Sequence, residues 1–374
     1  MGLFSPLQQS NTVQSSPNTS PKKKILSLQG LRAVAFLAIF ISHSRLGQLG
    51  YLGAWGVSVF FVLSGFLMFF NYYPREKLPD FGWRFSWNKI KQLYPLHIVT
   101  MLFSIAFALF TGLSPKKTAL DAVLHTFLLQ IWVPNEHYYA TLNGPSWFLC
   151  VSFFCYLCFP LILRFFKRKI NTKTQAVHGV LFLFFVAFIL SGLTFLLHRH
   201  DNTVWFNTKW ITYYFPPVRL IDFTLGCFLG AIYLLPSQKT PRQKNALWVS
   251  CITLALIVLS LLFYYRTEEF QPVKSVKYSL LFLPTSLLLI WTLLDQGTLI
   301  TRLFSCRVLV AIGDLSPYTF LIHGVIIKYA YWILSGLTAH YSYLAVLLSF
   351  MITLSAAVLY KKAVSLINNP NHSK

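Results

Sequence analysis

Long apolar runs, separated by short polar and basic segments, dominate the chain. Runs of spanning length recur at about 25–44, 56–72, 94–113, 146–166, 177–197, 217–235, 246–264, 278–294, 317–335 and 342–360. A hydrocarbon core of about 30 Å needs roughly 20 helical residues, so each run predicts a spanning helix, some at the short end of the range. In lipid every backbone polar group must be satisfied within its own segment or barrel. The pattern therefore predicts an all-α, polytopic transmembrane bundle of about ten helices. A weaker amphipathic stretch at about 118–132 predicts an interfacial or re-entrant element. Residues 1–21 are rich in Ser, Gln, Asn and Pro without an apolar period, and read as a disordered cytoplasmic tail. Lys22–Lys24 then open a retained first helix: the run holds Arg32 and His43 and shows no small-residue cleavage site. The expected organisation is a tail over 1–21, a transmembrane domain over 22–362 and a short cytoplasmic tail over 363–374. The longest loop, about 114–145, leaves no room for a soluble domain.

Composition supports this reading. The 374 residues suffice in length for two soluble domains, but 55% are hydrophobic and only 11% charged, against about 25% charged in soluble domains. The net charge of +22 would suggest nucleic acid in a soluble chain. Here the basic residues cluster between apolar runs, so they read as topology signals and no nucleic-acid partner is expected. With the N-terminus placed in the cytoplasm, 21 Lys and Arg fall on inside segments and nine outside. The positive-inside rule then predicts both termini in the cytoplasm, as an even number of helices requires. Cys155 and Cys158 have CxxC spacing but no second pair or His partner. A structural zinc site takes about four ligands, so no metal and no disulfide framework is expected.

Ionisable residues inside spans are costly and mark candidate sites. The first helix holds Arg32 and His43, eleven residues apart. At 100° per residue they lie about 20° off three full turns, on one face and about 16 Å apart along the axis. Ser64 and Gly65 make part of the second helix small enough for close approach. Lys89 and Lys91 precede Tyr94-Pro95 at the start of the third. Arg219 and Asp222 stand three apart at the start of the sixth, where mutual neutralisation is an equal alternative to function. Ser316-Pro317 reads as an N-cap and first position opening the ninth helix, with His323 two turns in and Lys328 deeper.

At these residues the chain resembles membrane acyltransferase family 3, bacterial O-acyltransferases that modify cell-surface glycans. The resemblance rests on Leu28-Gln29-Gly30-Leu31-Arg32-Ala33 through His43, on Phe60-Phe61-Val62-Leu63-Ser64-Gly65-Phe66, on Arg219-Leu220-Ile221-Asp222-Phe223-Thr224-Leu225-Gly226, and on Gly313-Asp314-Leu315-Ser316-Pro317-Tyr318-Thr319-Phe320-Leu321-Ile322-His323. Weaker echoes are the basic stretch before Tyr94-Pro95 and Ser146-Trp147-Phe148-Leu149 with Tyr156 and Pro160. Gln92 and Ser152 stand where many members carry Arg and Glu.

The resemblance implies a multi-pass enzyme of the bacterial inner (plasma) membrane, an O-acetyltransferase without a tightly bound cofactor. Its donor would be cytoplasmic acyl-CoA, acetyl-CoA by family habit, and its acceptor a glycan hydroxyl of O-antigen lipopolysaccharide, capsule, exopolysaccharide or peptidoglycan. His43 would be catalytic, as general base or transient acyl acceptor. Arg32, Lys89, Lys91, Tyr94, Ser64, Trp147, Arg219, Asp222 and His323 would bind donor or acceptor, with basic residues holding the CoA phosphates. No carboxylate of the first helix can orient the His43 ring, so a partner is expected from another helix. Some members add a C-terminal soluble domain; this chain ends soon after its tenth run, so transfer is expected to use the membrane part or a separate protein. A transporter of an acylated sugar or small acid is the alternative, disfavoured because no internal repeat is visible.

Overall fold

The computed structural model describes residues 24–44, 49–79, 82–200, 208–236, 246–267, 280–295, 297–334 and 342–368. The tail expected over 1–21 and the last residues, 369–374, lie outside the described residues. Among those described, the helices run in order α1 (Leu26–His43), α2 (Gly50–Tyr72), α3 (Trp83–Ile90), α4 (Tyr94–Phe110), α5 (Pro115–Thr126), α6 (Glu136–Ala140), α7 (Trp147–Lys169), α8 (Lys173–His200), α9 (Pro216–Leu234), α10 (Ala246–Arg266), α11 (Leu283–Leu294), α12 (Leu299–Phe304), α13 (Arg307–Ile333) and α14 (Ser342–Asn368). Short 3-10 turns at Gln130–Trp132 and Gly144–Ser146 and a π-helix at Trp210–Tyr214 join them.

Each of the ten expected runs contains a helix among the described residues. Among the described residues, eight helices are long and apolar enough to cross a bilayer: α1, α2, α7, α8, α9, α10, α13 and α14. α3 and α4 together form a bent pair, a broken ninth span or a re-entrant element. α3 and α4 meet at 67° across Lys91-Gln92-Leu93, and Pro95, which needs no backbone donor in a first turn, restarts the helix. α11 has 12 described residues, which rise only about 18 Å. It is an apolar helix, but not by itself a full span. The chain is thus a polytopic helical bundle.

α2 is the hub, with 83% of its apolar window buried. α1 and α9 pack on it, and α13 packs on α1. The α2–α9 contact is close because both helices present glycine. A Cβ on Gly65 would stand 1.8 Å from the Phe223 carbonyl oxygen, and one on Gly226 2.0 Å from that of Val62. α8, α10 and α14 lie outside this centre and turn Phe182, Phe185, Phe188, Leu259 and Leu347 outward, as lipid-facing helices do.

One sequence expectation is corrected and one element is added. Ser316-Pro317 opens no helix: α13 starts ten residues earlier at Arg307 and carries Pro317 inside it. A membrane helix tolerates an internal proline because neighbouring helices restore the lost support. Gly313, at the position four residues back that a proline ring crowds, is packed so tightly on α1 that a Cβ there would fall 1.9 Å from the Gln29 carbonyl oxygen. α3 was not expected from the sequence at all. It is an eight-residue amphipathic helix, too short and too basic to register as a spanning run.

Candidate active site

α1 organises the site because its two ionisable residues face inward at opposite ends. At the basic end, Arg32 lines a cavity of about 510 Å³ with Lys24, Arg75 and Lys89. Among the described residues no carboxylate lines it. Lys24 is paired at 2.5 Å with Asp314. Lys89 donates at 2.5 Å to the Tyr72 hydroxyl and lies 4.4 Å above its ring, and Arg75 covers the same ring at 4.2 Å. Arg32 Nε is buried without a hydrogen-bond partner. Arg32, Ser64, Lys89 and Tyr156 also line a deeper cavity of about 190 Å³, so the two spaces share a wall.

At the other end His43 lines cavities of about 350 Å³ and 270 Å³ and exposes its ring to them. Its Nδ1 stands 2.8 Å from the Ile39 carbonyl oxygen. A carbonyl only accepts, so Nδ1 carries the proton and Nε2 presents a lone pair. This corrects the expectation of a partner from another helix: the backbone of α1 itself, one turn back, sets the tautomer. His323 repeats the arrangement. Its Nδ1 lies 2.8 Å from the Phe320 carbonyl and 3.2 Å from that of Thr319, while its buried Nε2 has no partner. The two rings meet edge-on, 5.2 Å between centroids.

A buried polar network holds the opposite wall. His125 Nε2 donates to the Tyr138 carbonyl at 3.1 Å and Nδ1 faces Ser146 Oγ at 3.2 Å. Burial pushes the His125 imidazole down to about 4, so it stays neutral there. Asn143 donates to Thr100 and to the Leu321 carbonyl, each at 2.9 Å. Together these fix the Gly144–Ser146 turn, which delivers Trp147 to both His43 cavities.

The expected site residues thus divide. Arg32, Ser64 and Lys89 come together at the basic end, and His43, Trp147 and His323 gather at the other. Lys91 is exposed and lines none of the described cavities. Tyr94 donates at 2.7 Å to the Thr126 carbonyl and ties α4 to α5. Arg219 and Asp222 are 0% and 1% exposed and pair at 2.5 Å, with Arg219 Nε also on the Tyr213 carbonyl at 2.6 Å. They line no described cavity; they neutralise each other beneath the π-helix.

Sequence reading did not supply the rest of the walls. Lys328 lines the larger His43 cavity and bonds the Leu142 carbonyl. Glu136 and Lys209, 3.8 Å apart, line it too. Phe60, Phe148 and Phe320 close the deeper basic-end cavity. Of these, Lys328 carried a signal of its own, a lone cation within an apolar run, while Phe60, Phe148 and Phe320 stood inside the quoted motif blocks with no separate mark.

Comparison with known proteins fits this geometry. The acyltransferase domain matches residues 25–361. The chain is 29% identical over 332 residues to the acyltransferase MdmB of Streptomyces mycarofaciens, covering 84% of this chain and 81% of that protein. It is 24% identical over 328 residues to the peptidoglycan O-acetyltransferase OatA of Listeria monocytogenes, covering 82% of this chain but 50% of that protein. No solved structure matches. A match over nearly the whole chain, on a polytopic bundle with a histidine opening into an internal cavity, places the protein in the acyltransferase domain family as a multi-pass membrane acyltransferase.

Proposed function

We propose that the protein moves an acyl group, acetyl first among candidates, from acyl-CoA in the cytoplasm to a hydroxyl of a cell-surface or exported glycan. The observation that carries this reading is the placement of Arg32 and His43 on cavities at opposite ends of one helix, the first lined by cations and the second by an imidazole with a free Nε2. Lys24, Arg32, Arg75 and Lys89 suit the phosphates of CoA, which charge-assisted hydrogen bonds hold well. The basic end then faces the cytoplasm, with both termini on that side. The extended pantetheine arm runs along α1 toward His43. The relative named as a peptidoglycan O-acetyltransferase supports both the acetyl group and a glycan acceptor.

In the reaction, the acceptor oxygen attacks the thioester carbonyl while His43 Nε2 takes its proton. Lys328, a cation in the same cavity, balances the charge developing on the carbonyl oxygen. Collapse of the tetrahedral intermediate breaks the C–S bond, and the leaving thiolate takes the proton back from His43. The products are the ester and free CoA. Trp147 and Tyr214, 4.9 Å apart in that cavity, offer apolar faces to a sugar ring.

His43→Ala tests the mechanism in membrane vesicles given labelled acetyl-CoA. Ester-linked label on glycans should fall by about 10²–10⁴, with protein accumulating normally in the membrane. Unchanged labelling would remove His43 from the chemistry. Labelled solute crossing the vesicle without any glycan ester would instead identify a transporter.

A further inference from the structure

We propose that Phe60, Phe148 and Phe320 form a closed aperture between the donor cavity and the His43 cavity, and that its size selects short acyl groups. The inference rests on the proposed acyl-CoA reaction and adds its specificity determinant.

The three rings come from three helices, α2, α7 and α13. Their centroids are 5.9 Å apart for Phe60–Phe148, 6.1 Å for Phe60–Phe320 and 4.8 Å for Phe148–Phe320. These are contact separations for aromatic rings, so no chain passes between them in this arrangement. All three close the cavity that holds Arg32 and Ser64. Phe320 also lines the smaller cavity of His43, and its ring lies 5.7 Å from that of His323. The donor side and the imidazole side therefore meet at this one side chain.

The neighbours decide which ring gives way. Phe148 is held on a further side by Phe61, at 4.5 Å. Phe320 has a cavity on each side of it. Rotation of Phe320 joins the two spaces without moving a helix.

The acyl group is the tip of the donor, so it enters the aperture before the pantetheine does. Beyond the aperture lies the smaller His43 cavity, of about 270 Å³, walled by the rings of Trp147, Tyr213, Tyr214 and Tyr264. A short acyl group fits among these rings, whereas each added methylene must displace them. Poorly accommodated methylenes change kcat/KM by about 10–200-fold each.

The test uses membrane vesicles holding the full chain and its endogenous glycans, supplied with acetyl-, butyryl- or hexanoyl-CoA. Glycan-bound esters are quantified by mass spectrometry. Wild type should favour acetyl, and Phe320→Ala should raise the hexanoyl-to-acetyl ratio by at least about tenfold. Phe320→Leu removes the ring with less loss of bulk, is read in the same way, and serves if the alanine variant does not accumulate. An unchanged ratio in a folded Phe320 variant overturns the sieve and leaves the enzyme reading standing, because wild type still acylates. If wild type esterifies glycan from none of the thioesters, the acyl-CoA reading falls and the sieve with it.

Discussion

Asp222→Ala is the most informative single substitution. Asp222 and Arg219 are 1% and 0% exposed and sit 2.5 Å apart. At an effective dielectric of about 20, unit charges at that distance attract by about 7 kcal/mol. Desolvating each ion costs several kcal/mol, so the intact pair contributes little net stability. Removing one partner is different, because the remaining charge keeps its desolvation cost and loses its attraction. Arg219 would keep the Tyr213 carbonyl at 2.6 Å and the Tyr213 ring at 4.7 Å among its contacts. The expected loss is about 3–5 kcal/mol, or two to four orders of magnitude in the folding equilibrium. Heating detergent extracts and measuring the monodisperse fraction by fluorescence-detected size-exclusion chromatography reads this directly. The double variant Arg219→Met with Asp222→Leu removes both charges and should recover most of the heat resistance, together with glycan acylation. Wild-type heat resistance in Asp222→Ala would refute the energetic argument. A double variant that folds normally yet acylates nothing would show that Arg219 acts on substrate, and the structural assignment would be wrong.

Other consequences are testable in the same vesicles. Gly226→Ala should cost about 1–3 kcal/mol by overpacking α2 against α9, seen as a lower midpoint in the heated-extract assay; an unchanged midpoint would mean that the Val62 backbone yields freely. Lys89→Gln should raise the KM for acetyl-CoA about tenfold or more with kcat unchanged, as expected for loss of a charged hydrogen bond made equally in ground and transition states. The difference from wild type should shrink at high salt, and a fall in kcat instead would move Lys89 into the chemistry.

What the sequence revealed follows from how far each signal reaches along the chain. Arg32 and His43 were legible as a pair because both ride one helix, and helical period is a local rule. The spanning runs were legible for the same reason. Ser316-Pro317 misled because a cap signature is also local, while the continuity of α13 depends on Gly313 packing against α1, a contact between residues nearly three hundred positions apart. The pairing of Arg219 with Asp222 was visible as a possibility, since three residues separate them, but their burial under Tyr213 and Phe61 was not. The Phe60–Phe148–Phe320 cluster was invisible for a plainer reason. Phenylalanine in an apolar run carries no mark that distinguishes a lipid-facing ring from one between cavities, and only the packing of three helices makes that choice.

The same three rings bear on what the protein must not do. A donor route open from one side of a bilayer to the other would also conduct ions and protons, and so dissipate the membrane potential during every idle interval. Hydrophobic constrictions stop conduction by dewetting, without needing a tight steric plug. Three phenyl groups in contact supply such a dry gap between cavities lined by cations on one side and imidazole on the other. Under the proposed reaction, the cost of acyl transfer across the membrane is then confined to the moments when a substrate itself fills the gap.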